Sequence, residues 1–359
     1  MYLNPFANTW TCGSSASPAV EEFHRRLPEY NSTPLVSLPD LARDLGLGHV
    51  FVKDESFRFG LPAFKILGAS WAVYRAVAAK VELPQTCPLD ELSVSANTRD
   101  ITLVTCTDGN WGRAVARMAK YLRIPAIVFV PHNMDQATKE KIASEGARVS
   151  VVSGDYDESV KAARKEAETS SGLLVMDTSW PGYEEIPKWV VEGYSTMLTE
   201  TDRQVQEQTG KQATCAIASV GVGSFAQSVA MHYKSRAPSA TVVTVEPETA
   251  ACLKSSLEAG RIISIETGDT IMCGMNCGTV SSIAWPILRD GIDASMAISD
   301  AESHKSVRYL HALGVQAGPC GAGPLSALKR LCETHELGLG SESIVVLFST
   351  EGSRSYSVP

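Results

Sequence analysis

Residues 213–233 read ATCAIASVGVGSFAQSVAMHY, and this stretch sets the architecture of the chain. Its first seven residues are small or apolar and have the pattern of a buried strand. A turn with two glycines, Gly221 and Gly223, follows, and a helical pattern then runs to Tyr233. Short apolar segments and helical segments alternate in this way along nearly the whole chain, which favours parallel strands joined by helices. The sequence therefore predicts an α/β fold of two open, twisted, mostly parallel sheets with helices on both faces.

The same patterns predict how the chain divides into domains. We expect a strand at 50–52, a helix at 64–80 and an irregular surface loop in the proline-bearing segment 84–100. A compact series of alternating strands and helices follows from 101 to 176, and a long amphipathic pattern at 186–208 leads to strands near 214, 241, 295 and 343. We therefore predict a discontinuous large domain, residues 1–80 and 190–359, and a smaller inserted domain, residues 95–189, with a cleft between them.

The glycine turn after the strand at 213–219 suits an anion. Glycine lets the backbone approach a ligand closely, and the amides at a helix N-terminus bind phosphate. Gly221, Val222, Gly223 and Ser224 are therefore a candidate phosphate cradle. The same letters satisfy the dinucleotide pattern G-x-G-x-x-A, and the next strand ends in the acid Glu246. A tight turn that only packs a helix is a third explanation.

Lys65 lies in the apolar segment PAFKILG, residues 62–68. Apolar neighbours reduce the hydration of an ammonium group, which lowers the pKa of the lysine and favours the neutral amine. Schiff-base chemistry requires such an amine. The alternative is a lysine whose carbon chain covers apolar surface while its charge reaches water.

A second turn, DGNWGR at residues 108–113, also follows a strand pattern and precedes a helix pattern. Asp108 and Asn110 are therefore expected at the carboxyl end of a strand, where open α/β sheets bind their ligands. Asp-Gly-Asn is also ordinary turn chemistry. The turn taken alone leaves both roles open.

Together these segments resemble the fold type II family of pyridoxal 5'-phosphate enzymes, the tryptophan synthase β-like superfamily, and most closely its diaminopropionate ammonia-lyase branch. The resemblance rests on a colinear series of blocks that spans most of the chain. The blocks are KDES (53–56), RFGL (58–61), AFK (63–65), LG (67–68), TDGN (107–110), DTSW (177–180), GY (182–183), IP (186–187), GVGS (221–224), VEP (245–247) and STEG (349–352).

The resemblance implies pyridoxal 5'-phosphate as cofactor and assigns residues to it. Lys65 would form the Schiff base with the cofactor aldehyde, next to Phe64, and the glycine turn at 221–224 would hold the phosphate. Asn110 would hydrogen-bond the phenolic oxygen. A hydroxyl of Ser349 or Thr350 would face the pyridine nitrogen and leave it mostly unprotonated.

The resemblance also implies the substrate side of the site. Asp108 would act as a base toward D-substrates and Lys65 toward L-substrates, while Asp177 would bind or polarise the amino groups of the substrate. Two positions depart from the family pattern: Trp111 stands where relatives usually carry histidine, and Gln316 where they carry glutamate. Both are expected on the substrate side, where they put the identity of the substrate in doubt more than that of the cofactor.

The implied activity is the α,β-elimination of ammonia from 2,3-diaminopropionate, D or L or both, or from a close β-substituted amino acid. Aminoacrylate and then pyruvate would follow. The two departures leave open a serine or threonine dehydratase, a synthase that adds a nucleophile to aminoacrylate, and a non-catalytic cofactor-binding protein. A nicotinamide-dependent oxidoreductase is less supported, because its glycine fingerprint normally opens its domain. The family also implies a homodimer.

Composition argues against several other classes of protein. The 359 residues carry a formal net charge of -8 without a basic run, which argues against nucleic acid or anionic membranes as partners. No apolar run reaches the roughly 20 residues that span a bilayer, and no signal-peptide pattern occurs, so a cytoplasmic location is expected. The nine cysteines and seven histidines show no metal-ligand spacing. Cys252 and Cys277 could approach each other through adjacent loops, but sequence does not establish whether they pair.

Overall fold

The computed structural model describes residues 1–13, 17–107, 109–132, 134–154, 156–170 and 172–359. Its strands are β1 (Tyr2–Leu3), β2 (Leu35–Ser37), β3 (His49–Asp54), β4 (Leu103–Cys106), β5 (Ala126–Pro131), β6 (Arg148–Val152), β7 (Leu173–Leu174), β8 (Cys215–Ser219), β9 (Thr241–Pro247), β10 (Ala294–Ile298) and β11 (Ile344–Ser349).

The helices connect these strands and cover both sheets. They are α1 (Pro18–Arg26), α2 (Pro39–Asp44), α3 (Lys65–Lys80), α4 (Leu89–Thr98), α5 (Asn110–Leu122), α6 (Gln136–Ala143), α7 (Tyr156–Thr169), α8 (Glu185–Gly193), α9 (Ser195–Thr209), α10 (Ser224–Lys234), α11 (Cys252–Ala259), α12 (Trp285–Gly291), α13 (Asp300–Ala312) and α14 (Pro319–Thr334). Short 3-10 turns lie at Glu248–Ala250 and Cys273–Met275.

The strands of the described residues form two sheets. A seven-stranded sheet has the order β1-β10-β9-β8-β11-β3-β2, and a four-stranded sheet has the order β6-β5-β4-β7. The pairings are parallel except at the two edges of the large sheet, where β1 pairs with β10 and β2 with β3 in antiparallel fashion. The predicted fold class, with two mostly parallel sheets and helices on both faces, is confirmed.

The central strands are buried on both faces, which explains their continuous apolar sequences. In β8, Ala216 and Ala218 belong to one hydrophobic cluster, whereas Cys215 and Ile217 belong to another. Helix α10 packs on β8 and contributes to the first cluster, and α14 packs on β8 and contributes to the second. Because side chains alternate along a strand, a strand covered on both sides needs apolar residues at every position.

The two sheets occupy separate parts of the chain. Strands of the small sheet lie between Leu103 and Leu174, and strands of the large sheet lie before and after that range. We propose the domain bounds on this basis: residues 1–80 and 190–359 for the large domain, and 95–189 for the small one. The carboxyl ends of β8 and β11 in the large sheet and of β4 in the small sheet lead into loops that line one cavity.

One predicted loop is a helix. The segment 84–100 contains α4 (Leu89–Thr98), which packs against α5. Pro88 immediately precedes the helix, where a proline is tolerated because the first amides of a helix have no intrahelical partner. Leu92 and Ala96 lie four residues apart and are both buried, a helical spacing that the flanking prolines obscured.

The amphipathic segment 186–208 is two helices that meet at Tyr194. Helix α8 lies very close to α3: a Cβ atom added to Gly193 would lie 2.5 Å from the carbonyl oxygen of Leu67. A Cβ atom at Gly68 would lie 2.7 Å from the ring of Tyr194. The two glycines therefore permit a close contact that brings Tyr194 beside the first turn of α3, which begins at Lys65.

No described helix combines the length and the apolar character needed to cross a lipid bilayer.

Candidate active site

The loops at the carboxyl ends of β4, β8 and β11 surround a cavity. Cavities lined by apolar side chains with a few convergent polar groups commonly bind small molecules. Most of the residues predicted for the site from sequence line it. They are Phe64, Lys65, Asn110, Trp111, Asp177, Gly221, Val222, Gly223, Ser224 and Thr350. Segments far apart in the chain thus meet at one place, as the blocks of the sequence predicted.

Lys65 is the first residue of α3, and its amine faces the cavity. The neighbouring side chains of Ile66 and Leu67 are fully buried, whereas the side chain of Lys65 is 22% exposed. Its Nζ donates a hydrogen bond to Oδ2 of Asp177 at 2.5 Å and lies 6.0 Å from the centre of the Trp111 ring. The apolar segment therefore places the carbon chain of Lys65, but the amine itself lies beside a carboxylate and an aromatic face.

Asp177 is buried, with 5% of its side chain exposed, and it follows the last strand of the small sheet. The hydroxyl of Tyr183 holds this segment: it accepts a hydrogen bond from the amide of Met176 at 2.9 Å and donates one to the carbonyl of Leu174 at 2.9 Å. Burial raises the pKa of Tyr183, so its hydroxyl stays neutral and keeps both roles. The carboxylate of Asp177 is thereby fixed at the wall of the cavity.

The glycine turn also lines the cavity. Gly223 has a φ of 97°, a left-handed conformation that favours glycine, and it is the N-cap of α10. A Cβ atom at Gly221 would lie 3.0 Å from the carbonyl oxygen of Gly274 and 3.2 Å from Sγ of Cys277. The amides of Gly221, Val222 and Gly223 donate to no acceptor in the described part of the chain. Unpaired amides at the start of a helix are an anion site.

The hydroxyls predicted at the end of β11 differ in position. Thr350 lines the cavity, whereas Ser349 is fully buried and its Oγ has no hydrogen-bond partner among the described residues. A Cβ atom at Gly321 would lie 2.7 Å from that Oγ, so glycine leaves room beside the hydroxyl. A buried hydroxyl without a partner requires an explanation.

Trp111 lines the cavity without offering it a polar group. Its indole N–H donates to Oγ1 of Thr105 at 2.9 Å and to the carbonyl of Val175 at 3.3 Å. The side chain is buried, and only its ring face is turned toward Lys65. Trp111 therefore contributes shape and an aromatic surface, and no proton-transfer group.

Among the described residues, the predicted site residues Gln316 and Ser349 are not part of the wall of this cavity. Gln316 is exposed and does not line it, because the turn that carries it points toward solvent while the following residues, 317–320, are buried. Contact between Gln316 and substrate stays a prediction, which the exposed position of Gln316 does not support. Asp108 lies outside the described residues, between Thr107 and Asn110, which both line the cavity.

Several residues of the cavity wall are not found by sequence reasoning. Glu351, the third residue of the STEG segment, lines the cavity, and its carboxylate accepts a hydrogen bond from Nδ2 of Asn110 at 3.2 Å. Tyr156, Tyr194 and the segment 274–277 also line it. Burial raises the pKa of Tyr194, which the charge of Lys65 opposes, so the phenol remains neutral. Tyr194 lies within an amphipathic pattern that carries no sign of its role.

The acid that suggested a dinucleotide site has a different function. Glu246 is fully buried, and its two carboxylate oxygens accept from the amides of Leu253 at 2.7 Å and Lys254 at 2.8 Å. Burial raises the pKa of Glu246 to about 7, although the two amide hydrogen bonds act against this. Glu246 therefore serves the start of α11 and is not placed to bind a ribose.

Comparison with known proteins agrees with this geometry. The family model described as "Pyridoxal-phosphate dependent enzyme" matches residues 27–350. The diaminopropionate ammonia-lyase of Salmonella typhimurium is 37% identical over 93% of this chain and 88% of that protein. The enzyme of the same name from Escherichia coli K12 is 32% identical over 94% of this chain and 88% of that protein.

A solved structure is also closely similar. It is the crystal structure of Escherichia coli diaminopropionate ammonia-lyase in complex with an aminoacrylate-PLP azomethine reaction intermediate. The TM-score is 0.89 with 31% sequence identity, covering 98% of this chain and 93% of that one. The family resemblance predicted from the sequence blocks is thereby confirmed.

Proposed function

This chain belongs to the family of pyridoxal-phosphate dependent enzymes, and from that premise we propose that it eliminates ammonia from 2,3-diaminopropionate or a close β-substituted amino acid. Its cofactor is pyridoxal 5'-phosphate, and its reaction class is that of a carbon–nitrogen lyase. The observation that carries the proposal is the contact of Lys65 Nζ with Asp177 at 2.5 Å, in a cavity that the glycine cradle also lines.

The residues present fit this cofactor at three points. The amides of 221–223, which have no acceptor among the described residues, suit its phosphate. The amine of Lys65 lines the same cavity and suits its aldehyde. The hydroxyls of Thr350, on the cavity wall, and Ser349, buried without a described partner, suit its pyridine nitrogen.

When bound, pyridoxal phosphate supplies an aldehyde that takes up the substrate amine and a ring that withdraws electrons from the substrate Cα. The protein must then remove a proton from Cα and deliver one to the leaving β-nitrogen. For an L-substrate we assign the first task to Nζ of Lys65, and for a D-substrate to Asp108. Overall, one molecule of diaminopropionate and one of water give pyruvate and two of ammonia, so no oxidant or reductant is needed.

Asp177 is proposed to bind the amino groups of the substrate. The β-ammonium group of diaminopropionate is a cation, and a buried carboxylate beside the reacting carbon is its natural partner. In the structure this carboxylate is occupied by the amine of Lys65. Once that amine is engaged in chemistry, the acceptor oxygens of Asp177 become available to the substrate. The exchange of one ammonium for another keeps the buried charge compensated throughout.

The proposed base, Lys65, is in direct contact with the proposed partner of the substrate ammonium, Asp177. Lys65 begins a helix whose next residues are core, whereas Asp177 follows a strand of the other sheet. Tyr194 and Trp111 form the neighbouring walls and exclude water from this corner.

We propose a cytoplasmic location and a homodimer, both from the family. The net charge of -8 and the lack of a basic run in the sequence support a small amino-acid substrate rather than nucleic acid or membrane.

The experiment is to incubate purified protein, reconstituted with pyridoxal phosphate, with each enantiomer of diaminopropionate and to assay pyruvate and ammonia. We expect twice as much ammonia as pyruvate from at least one enantiomer, and no product from Lys65→Ala. Parallel reactions with serine, threonine and β-chloroalanine, with and without a thiol, test a dehydratase or a synthase. If the protein binds the cofactor but forms no product from either enantiomer, diaminopropionate is excluded as the substrate.

A further inference from the structure

We propose that Glu351 is a positioning residue that holds the side-chain amide of Asn110 with an N–H group directed into the cavity. The inference rests on the proposed function, because that N–H group is the one that would meet the phenolic oxygen of the cofactor. The sequence pattern by itself gives no role to the carboxylate of Glu351.

The contacts of Glu351 occupy both of its carboxylate oxygens. Oε2 accepts a hydrogen bond from Nδ2 of Asn110 at 3.2 Å, and Oε1 accepts one from the backbone amide of Cys320 at 3.1 Å. The residue is 5% exposed. Because both partners are donors, the site requires two acceptor oxygens, which a carboxylate has and a neutral amide does not.

The surrounding backbone is shaped to admit this carboxylate. A Cβ atom at Gly318 would lie 2.8 Å from Oε1 of Glu351, which real side chains do not tolerate. A Cβ atom at Gly274 would approach Oε2 within 4.0 Å. Gly318 lies in the same turn as Gln316. At position 316 the family pattern has a glutamate, whereas this sequence has an amide. The structure therefore places a carboxylate from the end of β11 against that turn.

A nearby cation balances the charge of Glu351. Arg354 donates to the carbonyl of Ile271 at 2.9 Å and to Sγ of Cys273 at 2.7 Å, which fixes it outside the cavity. Although burial alone would lower the pKa of Arg354, the charge of Glu351 raises it. A cation close to a buried carboxylate compensates its charge.

The consequence for Asn110 follows from the shape of an amide group. Its side chain has one acceptor oxygen and one nitrogen with two hydrogens. An acceptor-only carboxylate attracts the nitrogen and repels the oxygen, so the amide cannot turn over. One N–H bond is used by Glu351, and the other is then available to the cavity. A fixed donor at the position of a developing anion stabilises it without reorganisation.

The pair also joins the two sheets. Asn110 begins α5, directly after the small-sheet strand β4, whereas Glu351 follows β11 of the large sheet. A contact that only links the two sheets would have a structural role. The test must therefore separate this link from the orientation of the Asn110 side-chain amide.

The first variant is Glu351→Gln, with the exposed Glu336→Gln as matched control for the loss of one charge. Glutamine offers one oxygen where two donors need acceptors, so the amide of Asn110 is free to turn. We expect about a tenfold loss of affinity for pyridoxal phosphate and a similar fall in kcat, as for one charge-assisted hydrogen bond. The visible absorption band of the bound cofactor should weaken in favour of a near-ultraviolet band. Glu336→Gln should match the wild type.

The second variant exchanges the two groups, Asn110→Asp with Glu351→Gln. Glutamine then donates to the aspartate and still accepts from the amide of Cys320, so the tie between the sheets is restored. The aspartate, however, presents oxygen instead of N–H to the cavity. We expect the unfolding midpoint of the cofactor-free protein to return to that of the wild type, while the visible band and the cofactor affinity stay low. In the exchanged variant the glutamine donates and the aspartate accepts, so the pair is complementary. This variant therefore tests the inference even if Glu351→Gln does not fold.

Two results would overturn the inference alone. One is a Glu351→Gln protein with the spectrum, cofactor affinity and kcat of the wild type. The other is full recovery of the visible band in the exchanged variant, which would show that Glu351 serves only as a tie. A wild-type protein that binds no pyridoxal phosphate would instead remove the proposed function, and this inference with it.

Discussion

Nζ of Lys65 and Oδ2 of Asp177 lie 2.5 Å apart, although the two residues are 112 positions apart in the chain. Lys65 begins α3, and Asp177 follows β7 of the small sheet. Both residues line the cavity, and their contact joins the proposed base to the proposed partner of the substrate ammonium.

Replacing Asp177 with asparagine should lower kcat on diaminopropionate about 100-fold, as expected for the loss of a charged hydrogen-bond partner that contributes about 1.5–3 kcal/mol. The amide keeps the shape of the side chain but carries no charge for the substrate ammonium. Cofactor binding, followed by the visible absorption band, should remain. The exposed Asp269→Asn serves as the control. An Asp177→Asn enzyme with the kcat of the wild type would refute the assignment.

Adding one methyl group at the cradle should weaken cofactor binding. In Gly221→Ala the new Cβ atom would lie 3.0 Å from the carbonyl oxygen of Gly274, so the turn must shift. We expect the Kd for pyridoxal phosphate, measured by fluorescence titration, to rise about tenfold, the equivalent of one lost phosphate hydrogen bond. In Gly340→Ala the added atom meets nothing within 4 Å, and the Kd should be unchanged. Equal Kd values for the two variants would argue against a phosphate cradle at 221–224.

The two enantiomers should respond differently to the loss of Asp108. This acid is proposed as the base for D-diaminopropionate, and Lys65 as the base for the L-form. Asp108→Asn should therefore lower kcat on the D-substrate by about 100-fold or more, with a much smaller change for the L-substrate. Separate assays of pyruvate from each enantiomer measure this. Equal losses on both would show that Asp108 does not act as an enantiomer-specific base.

Restoring a carboxylate at position 316 should have little effect. Gln316 is exposed and lies outside the cavity wall, so a charge there is screened by water. Gln316→Glu should keep kcat/KM within about twofold of the wild type, as expected for an exposed substitution. A change in the preference between diaminopropionate and serine would show that residue 316 does influence substrate binding.

Acid should destabilise the protein in part through His24. This histidine is fully buried, with Nδ1 2.7 Å from Oγ1 of Thr196 and Nε2 donating to the carbonyl of Leu67 at 3.0 Å. Burial lowers its pKa from 6.5 to about 3. Between these values the unfolded chain binds a proton that the native state does not, so stability is full above pH 6.5 and falls toward pH 3.

The expected loss from His24 is about 1.4 kcal/mol per pH unit within that window. Urea unfolding at pH 7, 6, 5 and 4 should show this slope in the wild type and a smaller one in His24→Gln. The exposed His335→Gln should keep the slope of the wild type. Parallel slopes for His24→Gln and the wild type would show that the histidine is protonated in the native state. Leu67 lies two residues after Lys65, so loss of the hydrogen bond between His24 and Leu67 also affects the segment that positions Lys65.

Much of the architecture follows from local patterns in the chain. The alternation of apolar segments and helices predicts parallel sheets, since a strand covered on both faces must be apolar throughout. Turn chemistry indicated where β4 gives way to α5 and β8 to α10, because glycine permits backbone conformations that other residues resist. The order of the blocks indicated the family. These signals are readable because each depends on residues close together in sequence.

The composition of the cavity wall depends instead on contacts between distant segments. Glu351 meets Asn110 across 241 positions, and Tyr194 reaches Lys65 because Gly68 and Gly193 let two helices approach closely. Gln316 carries the departure from the family pattern but points to solvent, while a carboxylate from the end of the last strand lies against its turn. Periodicity tells which face of an element is buried, but not which other element covers it. The long-range packing of the two sheets therefore selects the side chains that face the reacting atoms.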